Sequence, residues 1–165
     1  MLSDVIATPV LDGLYGHTAG IGIEFLGEVW LGLLTVMPKD DRSQYDDGTY
    51  FKELRDPRYM RLRLDEKSRI NGKFIMSDAV EDEIVQVDGD NVQPIVSRNQ
   101  APLIFPENYT PETLVGFGLF RSGEKNNTPP FLWDKVTGLD GDENVVLEAE
   151  EMPIIREGDM EIVIR

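Results

Sequence analysis

The chain has 165 residues, 41% of them hydrophobic and 28% charged, and its 31 acidic against 16 basic side chains give a formal charge of −15. That hydrophobic content excludes a disordered chain, and the sign of the charge argues for no nucleic acid and no membrane among its partners, because anionic phosphates and lipids are bound by Lys and Arg. The absence of cysteine removes disulfides, thiolate catalysis and Cys-based zinc sites together.

The length suits one domain over 1–165, with no internal repeat, heptad or long linker to divide it. Residues 2–10 hold Asp4 and Pro9 and no basic run, so no export signal is expected. No apolar stretch approaches the roughly 20 residues that span a bilayer. In residues 1–16, Ser3 or Asp4 suits a helix cap, with Val5, Ile6, Val10, Leu11 and Leu14 on the apolar side. Pro9 removes a backbone bond past the first turn, which leaves either one short helix or two pieces, and Gly16 is a natural stop.

From residue 29 the period changes. Trp30, Leu31, Leu33, Leu34 and Val36 form a near-continuous apolar run ending at Pro38, which predicts a central strand covered on both faces. Residues 39–48 are acidic and rich in turn formers, so they read as an exposed loop. Residues 59–64 alternate. Met60, Leu62 and Leu64 are expected on the buried side of a strand, with Tyr59, Arg61 and Arg63 on the other. Asn71-Gly72 signals a hairpin. Residues 77–100 are a second acidic loop region, with strand-like pieces at 84–87 and 92–96 around Asp88-Gly89.

Strands resume at 103–105, 114–120, 131–136, 145–149 and 161–164, and 123–130 (GEKNNTPP) reads as a long hairpin tip. Roughly nine short strands with turns between them predict a mainly β fold, an antiparallel β-sandwich with a short N-terminal helix. Its core is expected to hold Met60, Leu62, Leu64, Phe105, Phe117, Leu119, Phe120, Trp133, Ile162 and Ile164.

Catalytic constellations are thin. The one histidine, His17, lies between Gly16 and Gly20-Ile21-Gly22, and no G-x-S-x-G element accompanies it, so a loop role is the simpler reading. Asp40, Asp41, Asp46, Asp47, Glu81, Asp82 and Glu83 sit in solvated-looking runs rather than in apolar pockets that raise a carboxyl pKa. Asp140, Asp142 and Asn144, with Glu148 and Glu151 downstream, are spaced like the oxygens of a calcium loop. Val145 stands where that loop needs glycine, and the residues after it favour a strand, so an acidic turn is the better reading. No catalytic, cofactor-binding or firm metal site emerges, and no cofactor is expected. Tyr15, Tyr45, Tyr50, Tyr109 and Trp133 are the aromatics that could stack on sugar rings, Trp133 more plausibly being core.

The order of segments resembles a family of small tailed-bacteriophage virion proteins, labelled tail fibre or minor tail proteins. Its opening helix is matched by the amphipathic N-terminal segment, and its first strand by Trp30-Leu31-Gly32-Leu33-Leu34-Thr35-Val36-Met37-Pro38. An acidic glycine loop follows, then a Tyr-x-Arg strand (Tyr59-Met60-Arg61) and an Ile-Thr-Phe-Pro-like element (Leu103-Ile104-Phe105-Pro106). Phe117-Gly118-Leu119-Phe120, a hairpin tip, Phe131-Leu132-Trp133 and a closing Glu157-Gly158-Asp159 before the last strand complete the series. Two departures stand out: the loop after Thr35 lacks the family's glycine-rich stretch, and residues 69–100 are longer and more acidic.

The resemblance implies a non-enzymatic structural component of a virion, in the tail, baseplate or neck. Such a protein is made in the host cytoplasm and acts by assembly with other virion proteins and copies of itself. Three segments are then expected at the interfaces. They are the N-terminal segment through Val5, Leu11 and Leu14, the strand face carrying Arg61 and Arg63, and the tip with Asn126 and Asn127. The arginine forks would meet a partner's carboxylates, such as those of an Asp46-Asp47 loop. The competing expectation is that the helix caps its own fold and the arginines pair within the chain. The alternative function is a carbohydrate-binding β-sandwich that contacts host surface glycan through the loop between Tyr45 and Tyr50.

Overall fold

The computed structural model describes residues 28–41, 43–65, 68–70, 72–125, 128–138 and 140–164. The helical segment expected over 1–16, with Val5, Leu11 and Leu14, lies outside these residues, as do His17, Asn126 and Asn127. Among the described residues there is no helix, and the chain is mainly β. The strands in the first half are β1 (Trp30–Val36), β2 (Lys52–Glu53), β3 (Leu62–Arg63), β4 (Arg69–Ile70), β5 (Lys73–Phe74), β6 (Val80–Glu81), β7 (Val85–Val87) and β8 (Asp90–Val92). The second half adds β9 (Ile95–Arg98), β10 (Leu103–Ile104), β11 (Glu112–Leu114), β12 (Gly116–Phe120), β13 (Leu132–Lys135), β14 (Val145–Leu147), β15 (Ile154–Ile155) and β16 (Glu161–Ile164).

These strands fall into two compact units, each assembled from separated stretches of chain. The described part of the first unit is Leu64–Leu103 together with the residues from Ile155 onward. It contains a three-stranded antiparallel sheet in the order β16-β9-β6. Strand β9 reads Ile-Val-Ser-Arg and is buried on both faces, which suits the middle position. Arg98 at its end reaches across both neighbours, donating through Nε to Glu161 at 2.7 Å and through Nη2 to Asp82.

The next residue, Asn99, is buried and acts as a brace. Its Nδ2 donates to the carbonyls of Ala101 and Arg156, and its Oδ1 accepts from Met160 N–H. Two ribbons complete this unit. β4 pairs β5 on either side of Gly72, where the Asn-Gly signal places a hairpin. β7 pairs β8 through Asp88-Gly89, whose φ angles of 53° and 89° are those of a type I′ turn.

The second unit, Glu28–Arg63 with Ile104–Ile154, is built on β1. Leu31, Leu33 and Leu34 are all buried, as a strand flanked on both sides must be. β12 lies along one side in antiparallel register, with Leu31 opposite Leu119 and Gly32 opposite Gly118. β2 and β3 share the other side, and β13 extends the sheet beyond β12. Within the β1–β2 pairing the register shifts between Leu34 and Val36, and β3 pairs the other end of β1 at Trp30 and Leu31. Leu34, Phe51 and Phe120 form a core cluster against which Trp30, Met37 and Trp133 pack, and the Phe51 and Phe120 rings lie 5.5 Å apart. Each fully buried leucine here contributes roughly 2 kcal/mol of burial. A separate antiparallel ribbon pairs β11 with β14.

Of the expected core residues, Leu64, Phe105, Leu119, Phe120 and Ile162 are buried, while Leu62, Phe117 and Trp133 are half-buried. Leu64 and Ile162 belong to the first unit and the others to the second. The side chain of Ile164 is outside the described set. Met60 is the correction. It is 59% exposed, whereas Tyr59 and Arg61 on either side of it are buried. The alternation is real, but its opposite face turns inward, for a reason that lies in the polar cluster beneath it.

Candidate functional site

The densest arrangement of polar side chains in the second unit surrounds the loop between β2 and β3. The loop turns because Asp56-Pro57-Arg58-Tyr59 is a β-turn formed by well-suited residues. Pro57 occupies its second position, Tyr59 N–H donates to Asp56 C=O at 3.1 Å, and Arg58 N–H donates to Asp56 Oδ1 at 2.9 Å. This reversal carries Tyr59 and Arg61 back over Glu53, the last residue of β2.

Glu53 and Arg61 form an ion pair with no exposed side-chain surface on either partner. Arg61 is bidentate: Nε donates to Glu53 Oε1 at 2.9 Å and Nη2 to Oε2 at 2.8 Å. Its Nη1 donates to Ser122 C=O at 2.6 Å, and the guanidinium lies 3.4 Å from the Phe120 ring centroid. Tyr59 Oη donates to Glu53 Oε1 at 2.9 Å and accepts from Leu33 N–H at 2.8 Å. Burial, and then the Glu53 charge, push the Tyr59 phenol well above its ordinary pKa of 10.0. The pocket is closed by Gly32. A Cβ there would lie 2.7 Å from Phe120, 2.8 Å from Glu53 Oε1 and 3.0 Å from Tyr59 Oη.

A second tier continues outward. Asp56 Oδ2 accepts from Tyr109 N–H at 2.6 Å. Backbone donors, Arg58 N–H and then Tyr109 N–H, hold the Asp56 carboxyl below its usual range. Glu112, also buried, accepts from Arg55 N–H at 2.6 Å and from Arg55 Nε at 2.7 Å. Arg58 lies over the Tyr109 ring, and Tyr109 Oη donates to Glu107, which raises the phenol pKa. Lys125 Nζ reaches Asp56 C=O at 3.4 Å and stands 5.3 Å from the Tyr59 ring centroid. The cluster thereby ties the loop of 54–61 to the β12 side of the β12–β13 hairpin tip, at Phe120, Ser122 and Lys125. Within the cluster acidic side chains pair with arginines, Glu53 with Arg61, Asp56 with Arg58 and Glu112 with Arg55.

Arg61 is therefore corrected as an interface residue. Its fork is spent inside the chain, on Glu53, and no part of it faces a partner. Arg63 also pairs within the chain, with Glu28 at 3.2 Å, and its guanidinium is 5.5 Å from the Trp30 ring centroid. Asp47 is engaged by Lys52 at 2.8 Å and by Thr49, and these donors depress its pKa. The turn carrying Asp140, Asp142 and Asn144 is exposed and closed by Gly138 N–H donating to Asp142 C=O at 2.8 Å. Among the described residues, no three His, Asp or Glu side chains gather as metal ligands would.

Tyr45 has its hydroxyl on Met37 C=O at 2.7 Å and Lys39 over its ring, whereas Tyr50 is more open. Trp133 packs against the Leu34–Phe51–Phe120 cluster.

The residues that sequence reading passed over are Glu53, Asp56 and Glu112, whereas Tyr59, which is buried, is expected from alternation on the face away from the core. Asp56-Pro57 is a readable turn signal, but nothing local marks Glu53 as the partner of Arg61. Comparison with protein-family models, with curated proteins and with solved structures finds no match.

Proposed function

We propose that this protein is a non-enzymatic structural component of a tailed-phage virion, built as a β-sandwich into the tail, baseplate or neck. One observation carries the reading. Three of the segments bearing the resemblance meet in one sheet: the Trp30–Val36 strand lies beside Gly116–Phe120, which pairs in turn with Leu132–Lys135. Tyr59-Met60-Arg61 leads into the strand on the opposite side of β1. Arg61 belongs to the internal frame that fixes the hairpin tip through Ser122, and the contacts with other virion proteins and further copies fall to residues 2–15 and to the tip at 123–130. A formal charge of −15 keeps free subunits apart until a complementary surface neutralises them.

Mass spectrometry of tailed particles, purified from lysates of the host that carries the gene, tests the proposal. The chain is expected in multiple copies per particle and co-purifying with tail proteins through a salt wash. Complete, infectious particles that lack it would overturn the reading.

A further inference from the structure

We draw no further inference here: the strongest candidate, the exposed apolar surface formed by Ile104, Met152 and Ile154 in the second unit, carries none, because nothing in the structure shows what covers it.

Discussion

Replacing Arg61 with methionine keeps most of the side chain's length and removes its charge. In the native protein that guanidinium makes two hydrogen bonds to Glu53, at 2.9 and 2.8 Å, and one to Ser122 C=O at 2.6 Å. Both partners of the pair are wholly buried, so the substitution leaves the Glu53 carboxylate inside the sheet without its counter-charge. Breaking a buried pair from one side costs about 3–5 kcal/mol, most of it the desolvation of the orphaned ion. The double variant Glu53→Gln/Arg61→Met removes both charges and leaves an amide oxygen for the Tyr59 hydroxyl. It should be more stable than Arg61→Met by about 2 kcal/mol, because it no longer buries an unpaired carboxylate. Urea unfolding followed by tryptophan fluorescence reads this directly, because the two tryptophans, Trp30 and Trp133, both pack in the second unit. Stability is compared through the midpoint at constant slope. A cost below about 1 kcal/mol for Arg61→Met, or a double variant no better than the single, would refute the buried-pair account.

Gly32→Ala should destabilise the second unit by about 2–3 kcal/mol in the same assay, since its methyl would meet Phe120, Glu53 and Tyr59 at 3.0 Å or less. Met60→Lys should change stability by less than about 0.5 kcal/mol, because the side chain is in solvent; a loss of several kcal/mol would restore the inward-facing assignment. Tyr59 has a folded pKa above its unfolded value of 10.0, so its contribution is complete below pH 10 and is lost as pH rises further. Unfolding free energy should fall by roughly 1.4 kcal/mol per pH unit there, and Tyr59→Phe should flatten that slope in a pH titration of the urea midpoint. Melting temperature should be the same with and without EDTA at matched ionic strength; a drop of many degrees would mean that Asp140, Asp142 and Asn144 hold an ion.

Much of this fold is local information. The run from Trp30 to Val36 has apolar residues on both faces, which suits a short strand covered on both faces. Gly72 and Asp88-Gly89 take the positive φ angles that tight hairpins need, and strands pair on either side of each. Asp56-Pro57 begins a turn because Pro presets one dihedral and Asp accepts from the backbone two residues on. The mainly β character follows from such signals alone.

Only tertiary structure decided which face of residues 59–61 is inside. Periodicity shows that two faces differ, and apolar Met60 against charged Arg61 suggests the ordinary choice. A buried charge is tolerated only where a partner waits, and that partner, Glu53, is brought in by a strand on the far side of a turn. Its carboxylate, the Phe120 ring with the Ser122 carbonyl, and the missing side chain at Gly32 come from three separate stretches of chain. The free energy that turns Arg61 inward belongs to their meeting, so no window of sequence around Arg61 contains it.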